Sequence, residues 1–468
     1  MSTIALWVFF YILILLKKKN KIKSICLFLG LLFFFSVTSF SQQGLTLPAN
    51  LKKDRIPFEL VNNLVIIPVE VNGAQLSFLL DSGVNTTILF GITEVDSLRV
   101  NNAKPIKVRG LGDGEGVVAL ESDNNEVKVG KAVDSNHRIY VVFEETLNFS
   151  ARMGIPIHGI IGYDFFKNFI VKSDYVSRKL TFYDPSKYNK KNCNGCEEFD
   201  LSFHNNKPYM TIKMATQTGG VEEITLLVDS GSSDALWLFK EEGVRSEDPK
   251  KSFDDFLGLG FSGNIFGKRS KLDNIWLGKF NLKDVKVAFP EKSATEGIKF
   301  FVERDGSIGG DILKRFTVIM DYNSQKMILK KNMNYSDPFF YNMAGLTIEH
   351  DGLEVVTELT TQRNFNFNNS SSAQNGTTSQ AITDVNVYTH FALVPKYVIV
   401  DVRKDSPAEL VGLKIGDEIV AINGRPAYKT KLFALNTLFS SKVGKRINLK
   451  IKRNNLIQKV RFTLKKVI

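Results

Sequence analysis

Short apolar runs interrupted by Gly, Asn and Asp fill most of the chain and predict β-strands. One of them, Leu64–Val71, is rich in Val and Ile and is followed by Asn72-Gly73, a dipeptide that favours tight hairpin turns. Phenylalanine is abundant, with 36 residues, and long segments with helical periodicity are scarce. The pattern therefore predicts a mainly β fold with short helices.

An internal repeat organises the middle of the chain. Three blocks recur at an offset of 147 or 148 positions: 78–83 as 226–231, 110–112 as 258–260, and 162–165 as 309–312. Matching blocks at nearly one offset indicate a duplication rather than chance similarity. We therefore expect two similar β lobes, at 58–185 and 199–331, with a cleft between them.

A third unit follows the second lobe. A strand pattern begins near residue 343 and resumes after a stretch rich in Asn, Ser, Thr and Gln at 362–380, which has the composition of a disordered insertion. We assign this unit to 343–467. A length of 468 residues is consistent with roughly three domains.

The net charge of +12 does not indicate a nucleic-acid groove. Five lysines lie between residues 17 and 23, and ten Lys or Arg residues lie between residues 442 and 468, where there is no acidic residue. The positive charges of these two segments together exceed the net charge of the chain, so the rest of the chain is slightly acidic. We expect no nucleic-acid partner.

Residues 1–41 have the pattern of a targeting segment. Lysines precede an apolar run at 25–35, and Ser39 and Ser41 are small residues placed for cleavage before Gln42. A second apolar run precedes the lysines, which leaves two alternatives: an upstream extension, or a membrane anchor of one or two spans. In either case we expect the bulk of the protein to be exported, as a periplasmic or secreted protein, soluble or membrane-anchored.

Cysteine and histidine give little support for a metal or redox site. Cys193 and Cys196 form a single C-x-x-C in a polar loop, and no second pair of ligands completes a zinc site. In an exported protein a local disulfide is the favoured interpretation. No motif requires a cofactor, and we expect none.

Two Asp-Ser-Gly loops carry the candidate chemistry. A single copy is a common turn sequence, but Asp81 and Asp229 occupy equivalent places in the two repeats. Two facing carboxylates that share one proton can supply both the base and the acid needed to hydrolyse an amide with water. The residues expected to support them are Ser82, Gly83, Ser230, Gly231 and Ser232.

These features resemble the retropepsin-like (clan AA) aspartic proteases, in a single-chain form similar to pepsin in organisation. Besides the Asp-Ser-Gly loops, each lobe has a Gly-rich segment and an apolar segment ending in Gly, at 160–162 and 307–309. The resemblance covers roughly 58–331. It implies a bilobal pair of β-barrels, a catalytic pair formed by Asp81 and Asp229, and extended substrate peptides in the cleft.

The Gly-rich segments resemble flaps that close over substrate. Glycines at both places would permit the hinge movement that closure requires. The alternative is an ordinary surface hairpin, and there is no tyrosine near Gly112 to mark one dominant flap. The candidate flap residues are Gly110, Leu111, Gly112, Gly258, Leu259 and Gly260.

The two loops differ at the next position, Val84 in the first and Ser232 in the second. A hydroxyl at residue 232 could stabilise ionised Asp229, whereas Val84 offers nothing to Asp81. The difference predicts that Asp81 is the preferred holder of the shared proton. Replacing Val84 by Ser should then move the activity optimum to lower pH.

The last unit resembles a PDZ domain, particularly those of bacterial exported proteases. The resemblance rests on Asp405-Ser406-Pro407-Ala408, on Gly412 to Ile419, and on Asn423-Gly424. It implies binding of an extended peptide as an added strand, with a C-terminal carboxylate held by backbone N–H groups. The predicted binding segment is Gly345, Leu346, Thr347 and Ile348; the alternative is a domain that only packs against the lobes.

The sequence as a whole predicts an exported aspartic endopeptidase that acts as a monomer on peptide or protein substrates. Its PDZ domain would dock substrate or a partner with a free C-terminus. The main alternative is a non-catalytic peptide-binding scaffold, and another is a protease with a very narrow substrate range. Substrate identity and cleavage preference do not follow from the sequence.

Overall fold

The computed structural model describes residues 44–90, 99–108, 117–143, 149–190, 192–216, 219–239, 251–260, 263–295, 304–366 and 382–468. The predicted export segment 1–41 and the first candidate flap, Gly110 to Gly112, lie outside these residues. Gly44–Ile468 forms a single unit.

The first repeat folds into strands and two short helices. Asn62-Asn63 and Asn72-Gly73 turn the chain with positive φ angles, which Asn and Gly tolerate best, so a hairpin forms at the predicted Asn72-Gly73 turn and another at Asn62-Asn63. The elements are β1 (Lys53–Pro57), β2 (Glu59–Val61), β3 (Leu64–Val71), β4 (Ala74–Leu80), β5 (Thr87–Leu89), β6 (Lys104–Val108), β7 (Val117–Val129), β8 (Ala132–Val142), α1 (Phe149–Met153), β9 (Gly159–Ile161), α2 (Tyr163–Phe166), β10 (Ile170–Asp174) and β11 (Lys179–Tyr183).

The second repeat follows a short 3-10 helix, Pro185–Lys187, and forms the same series of elements. Cys193 and Cys196 are joined by a disulfide just before it. The elements are β12 (Cys196–Asp200), β13 (Ser202–His204), β14 (Lys207–Ala215), β15 (Val221–Val228), β16 (Leu236–Leu238), β17 (Phe253–Gly260), β18 (Gly263–Leu277), β19 (Phe280–Pro290), α3 (Lys292–Thr295), β20 (Gly306–Ile308), α4 (Gly310–Leu313), β21 (Phe316–Asp321) and β22 (Lys326–Lys331).

Each repeat contributes one eight-stranded sheet. The strand orders are β2-β3-β4-β9-β5-β8-β7-β6 and β13-β14-β15-β20-β16-β19-β18-β17, so every strand of the first sheet has its counterpart in the second. The predicted duplication and the bilobal β architecture are confirmed. In the two sheets the short strands β9 and β20, which pair in parallel with β4 and β15, are buried along their whole length.

A six-stranded sheet joins the two lobes, in the order β1-β11-β10-β21-β22-β12. Its centre is the antiparallel pair of β10 and β21, in which Val171 lies opposite Met320. Because β1 and β12 belong to this sheet, the lobes begin earlier than the predicted residues 58 and 199. One hydrophobic core runs through both lobes.

The C-terminal domain has its own core and a third kind of sheet, ordered β23-β24-β25-β27-β28, with β26 paired to β25. Its 3-10 helices are Glu409–Val411 and Ala427–Lys429, and Gly412 ends the first with a φ of 79°. The other elements are β23 (Leu346–Asn366), β24 (Ile382–Val402), β25 (Glu418–Ile422), β26 (Arg425–Pro426), α5 (Leu432–Phe439), β27 (Arg446–Arg453) and β28 (Leu456–Thr463).

The polar insertion at 362–380 was partly mispredicted. Residues 362–366 continue strand β23 and pair with 382–386 of β24, in one long antiparallel hairpin. Composition misled here because these residues extend a ladder that begins in the core of the domain, at Leu346 and Val402, and a polar composition does not prevent backbone pairing. Among the described residues, no helix has the length and hydropathy of a membrane span.

Candidate active site

Asp81 and Asp229 follow the ends of two equivalent strands, β4 and β15. These strands pair in parallel with the buried strands β9 and β20. The Asp81 N–H donates to the Ile161 carbonyl (2.9 Å), and the Asp229 N–H donates to the Ile308 carbonyl (2.9 Å). Buried sheet therefore fixes the backbone of both aspartates, so their carboxyl groups are positioned rather than mobile.

Ser82 and Ser230 tie the two loops together. The Ser82 N–H donates to Oγ of Ser230 (2.9 Å), and the Ser230 N–H donates to Oγ of Ser82 (3.0 Å). Each hydroxyl then donates to a carbonyl of the opposite strand, Ser82 to Val228 (2.6 Å) and Ser230 to Leu80 (2.9 Å). Both serines are buried, so this symmetrical set of hydrogen bonds holds the loops at a fixed separation.

Gly83 and Gly231 bring each loop close to the opposite carboxyl group. Their N–H groups donate to Oδ1 of the aspartate in the same loop, at 2.7 Å for Asp81 and 3.0 Å for Asp229. A Cβ atom at residue 231 would lie only 2.1 Å from Oδ2 of Asp81, and one at residue 83 would lie 3.1 Å from Oδ1 of Asp229. The two carboxyl groups therefore face each other across a gap that leaves no room for a side chain.

The two carboxyl groups differ in their affinity for protons. Burial, and after it the negative charge of Asp229, raises the pKa of Asp81 to about 8. Burial also raises the pKa of Asp229, but the positive charges of Arg304 and Lys207 oppose the rise. Because the carboxyls lie within hydrogen-bonding reach of each other, they titrate as a pair. Asp81 is therefore the preferred holder of the proton that the pair shares.

Ser232 does not produce this asymmetry in the way that the sequence predicted. Its N–H donates to the Asp229 carbonyl (3.3 Å) and its own carbonyl accepts from Gly310 (2.7 Å), the same arrangement that Val84 has with Asp81 and Tyr163. In the part of the chain that the structure describes, no hydrogen bond joins the Ser232 hydroxyl to the Asp229 carboxyl. The pKa shifts favour the predicted aspartate as the proton holder, but the cause is the positive charge of Arg304 near Asp229 rather than the Ser232 hydroxyl.

A cavity of about 980 Å³ lies over the two carboxyl groups. Its wall on the first lobe is mostly apolar, and its wall on the second lobe combines basic, acidic and apolar side chains. The C-terminal domain closes a third side. Residues of the first wall include Leu64, Ile66, Leu79, Ile88, Ile157 and Ile160; of the second, Lys207, Tyr209, Trp237, Arg304 and Ser307; of the third, Gly345, Leu346, Thr347, Ile348, Asn436 and Thr437.

Comparison with known families agrees with this geometry. Residues 67–165, which contain Asp81, match the profile of the family described as aspartyl protease. Residues 367–464 match the profile of the PDZ domain. The chain combines an aspartyl protease domain with a C-terminal PDZ domain.

Among solved structures, the crystal structure of an aspartic proteinase from Irpex lacteus aligns with 61% of this chain and 99% of its own length, at 13% identity and a TM-score of 0.41. No curated protein sequence matches the chain significantly.

The second candidate flap lies at the end of a hairpin of the protease domain. Gly258, Leu259 and Gly260 belong to the β17–β18 hairpin, where Gly260 lies opposite Gly263, and all three line the cavity. The pairing of β17 with β18 is interrupted between Phe256 and Gly258, which bends the hairpin. The first candidate flap would join β6 to β7, the corresponding pair of strands, at residues outside the described ones.

The predicted PDZ binding segment faces the same cavity as the two aspartates. It forms the start of β23, which is an edge strand of its sheet, and α5 lies on the other side of the groove. Gly345 has a φ of 74°, and its N–H donates to Oδ1 of Asn342 (3.0 Å). A free strand edge beside a helix is the place where PDZ domains add a peptide strand.

Two ion pairs fasten the PDZ domain to the protease lobes. Glu349 of the PDZ domain contacts Arg152 of α1, in the first lobe, at 2.6 Å. Arg403 of the PDZ domain contacts Asp255 of the flap hairpin, in the second lobe, at 3.4 Å, and it also lies over the ring of Phe253. The PDZ domain therefore contacts both lobes beside the cavity, rather than following them as a separate module.

A buried network of charges supports the second aspartate loop. Arg269 contacts Asp234 (2.9 Å) and Asp255 (2.6 Å), so it links the loop after Asp229 to the flap hairpin. Lys286 contacts Asp311 (3.0 Å), and this positive charge helps to hold the pKa of Asp311 well below its usual value. The repeat indicates that Asp311 is the counterpart of Asp164, but the sequence does not predict the ion pairs that surround it.

Lys207 and Arg304 are the functional candidates that the sequence analysis missed altogether. Burial lowers the pKa of both, and both place positive charge near Asp229. The repeat could have revealed them, because the equivalent positions of the first lobe hold the apolar residues Leu64 and Ile157. A comparison of the two lobes at positions outside the matching blocks would have found them.

Proposed function

We propose that this protein is an exported aspartic endopeptidase whose PDZ domain docks peptides beside the catalytic cavity. One observation carries the proposal: two facing carboxyl groups with different proton affinities, Asp81 buried and Asp229 half-buried, lie at the base of a cavity large enough for an extended peptide. A binding protein has no need for two converging carboxyls, whereas in amide hydrolysis by water they can supply both the base and the acid.

In the proposed reaction, ionised Asp229 takes a proton from a water molecule while protonated Asp81 donates a hydrogen bond to the scissile carbonyl. The hydroxyl adds to the carbonyl carbon, and Asp81 transfers its proton to the developing oxyanion. The C–N bond then breaks as the leaving amine receives the proton held by Asp229, while one hydroxyl of the diol returns its proton to Asp81, which leaves a carboxylic acid and restores the dyad. Burial supports this chemistry because it keeps one carboxyl protonated at neutral pH.

The PDZ domain is proposed to bind the substrate or a partner through a free C-terminus. Support comes from Gly345 to Ile348, which line the same cavity as the aspartates. Amidating the C-terminus of a cleaved peptide should raise its KM, because the carboxylate is lost, and leave kcat nearly unchanged. An unchanged KM would indicate that the domain only packs against the lobes.

Export is proposed from the N-terminal sequence alone. The lysines, the apolar run and the small residues before Gln42 support it. N-terminal sequencing of the mature protein from fractionated cells should begin at Gln42 and find the protein outside the cytoplasm. A cytoplasmic protein that retains residues 1–41 would refute this part.

Cleavage itself can be tested with residues 42–468 and a diverse peptide library between pH 4 and pH 8. The proposal expects cleavage that Asp81→Asn and Asp229→Asn each abolish. Asp273→Asn is a matched control, because it makes the same change at an exposed carboxylate of β18. Peptides that bind to the protein without being cleaved under any condition would support the scaffold instead.

A further inference from the structure

The hairpin of β23 and β24 extends beyond the sheet of the PDZ domain. β24 pairs with β25 at Val398, near the end of the strand, whereas its pairing with β23 continues outward as far as Asn366 opposite Ile382. We call residues 353–361 and 387–395 of this hairpin the outer arm. A hairpin of two strands alone is at best marginally stable in water, so packing on its faces is what stabilises such an arm.

One face of the outer arm is tied to the rest of the PDZ domain. Glu358 accepts a hydrogen bond from the Tyr428 hydroxyl (3.0 Å) and forms an ion pair with Lys429 (2.9 Å). His390, which lies opposite Glu358 in the register, contacts the same carboxylate at 3.4 Å. Because side chains alternate along a strand, the odd-numbered residues of the arm lie on the other face, away from these contacts.

This other face is apolar and exposed. In the register, Val355 lies opposite Leu393 and Thr357 lies opposite Phe391, so their side chains share the face. Five large apolar side chains on it are between 59% and 75% exposed: Leu353, Val355, Val387, Phe391 and Leu393. The exposed threonines Thr357 and Thr389 lie among them, and none of the described residues of this face is charged.

The size of this face matches what a dimer interface requires. Five such side chains form a patch on the order of 500 Å², as large as the largest apolar patch of a typical monomer. Two copies packed face to face would bury about 1,200 Å² in total, counting the threonines, which reaches the lower limit of a stable interface. The two hairpins would then lie about 10 Å apart, like two sheets that share a core.

Other partners match this face less well. Residues 368–380, which belong to the segment that joins the two strands, consist of Asn, Ser, Thr, Gln, Gly and one Ala, so their composition does not suit an apolar strip. Elements that bind membrane surfaces carry Lys or Arg beside their apolar residues, and none of the described residues of this face is basic. An uncharged face also lacks the charges that select a different protein, whereas it is complementary to itself across a two-fold axis.

We propose that the apolar face of the outer arm is the interface of a homodimer, in which the arms of two copies pack face to face. A dimer then replaces the monomer that the sequence predicted, and this inference does not depend on the proposed protease function. The described residues of the face are not part of the cavity lining, so each copy keeps a complete cavity of its own.

Analytical ultracentrifugation of residues 42–468 tests the dimer. Interfaces near the lower limit of area are mostly weak, so the protein is measured from about 1 to 100 µM, where we expect conversion from monomer to dimer. Phe391→Glu places an unpaired charge in the interface and should raise the Kd of the dimer at least about hundredfold. Leu410→Glu is the matched control, because Leu410 is 70% exposed in the same domain but lies outside the arm, and the Kd should not change.

Cysteine labelling tests which face of the arm is covered. Cys193 and Cys196 are joined in a disulfide, so an introduced cysteine is the only free thiol of residues 42–468. Labelling of Thr389→Cys with a maleimide should slow several-fold as the protein concentration rises through the Kd. Tyr388→Cys is the matched control, because Tyr388 is also exposed but lies on the opposite face, and its labelling rate should stay constant.

Each remaining outcome would overturn the proposal. A protein that stays monomeric up to about 100 µM has no such interface. A dimer that Phe391→Glu leaves intact, or equal protection of the two introduced cysteines, would place the interface elsewhere. If the monomeric protein instead sediments with vesicles of phosphatidylglycerol, and Phe391→Glu abolishes this, the face binds a membrane rather than a second copy.

Discussion

Replacing Gly231 by Ala tests how closely the two aspartate loops approach. The added Cβ would lie 2.1 Å from Oδ2 of Asp81 and 2.2 Å from its Cγ. Non-bonded heavy atoms have their best separation at about 3.5–4.0 Å, so the Asp81 carboxyl would have to move by more than about 1 Å. A catalytic group misplaced by about 1 Å can cost about a hundredfold in rate, and we expect kcat/KM to fall at least that far.

Gly83→Ala is the matched comparison, because it makes the same change in the equivalent loop. Its Cβ would lie 3.1 Å from Oδ1 of both aspartates, so a much smaller shift relieves the contact, and we expect a loss of about tenfold or less. Neither glycine has a positive φ, so backbone strain does not contribute. Thermal unfolding of both variants separates misplacement from misfolding. Equal activity of the two variants would refute the inferred approach of the loops.

Three further predictions follow from the same contacts. Ser82→Ala leaves buried backbone groups without partners, so the free energy of unfolding in urea should fall by roughly 2 kcal/mol; Ser202→Ala, at an exposed position, should change it by less than about 0.5 kcal/mol. Asp81 binds its proton more tightly when folded, because its pKa rises from 3.8 to about 8. Wild-type stability should therefore decline as pH rises through this range, and Asp81→Asn should raise the melting temperature more at pH 8 than at pH 4; an equal gain at both pH values would contradict the raised pKa. Finally, the positive charge of Lys207 lowers the pKa of both aspartates, so Lys207→Met should move both limbs of the pH–activity profile to higher pH, and an unchanged profile would show that this charge does not reach the dyad.

The sequence was most informative where the repeat places chemistry at equivalent positions. The Asp-Ser-Gly loops predicted the pairing of Asp81 with Asp229 and a supporting role for Ser82 and Ser230, because each motif carries its own local geometry. The two lobes, the PDZ domain and the hairpin turns were predictable for the same reason. Local patterns specify local structure.

Features that depend on how distant segments meet were not predictable. Nothing in the pattern of β1 or β12 shows that both join the sheet between the lobes, and nothing in Gly345 to Ile348 places them beside the dyad. The charge network around Arg269 likewise joins segments far apart in sequence. Lys207 and Arg304 were missed because the repeats were compared for identical residues rather than for the positions at which they differ.

The pH dependence of kcat/KM, measured on one cleaved peptide with wild-type protein and both dyad variants, tests the central claim most directly. A pair that shares one proton predicts a bell-shaped profile whose alkaline limb falls near pH 8, where Asp81 loses its proton. Asp81→Asn and Asp229→Asn should each remove the activity at every pH. Activity that continues to rise above pH 8, or that survives in either variant, would contradict the account.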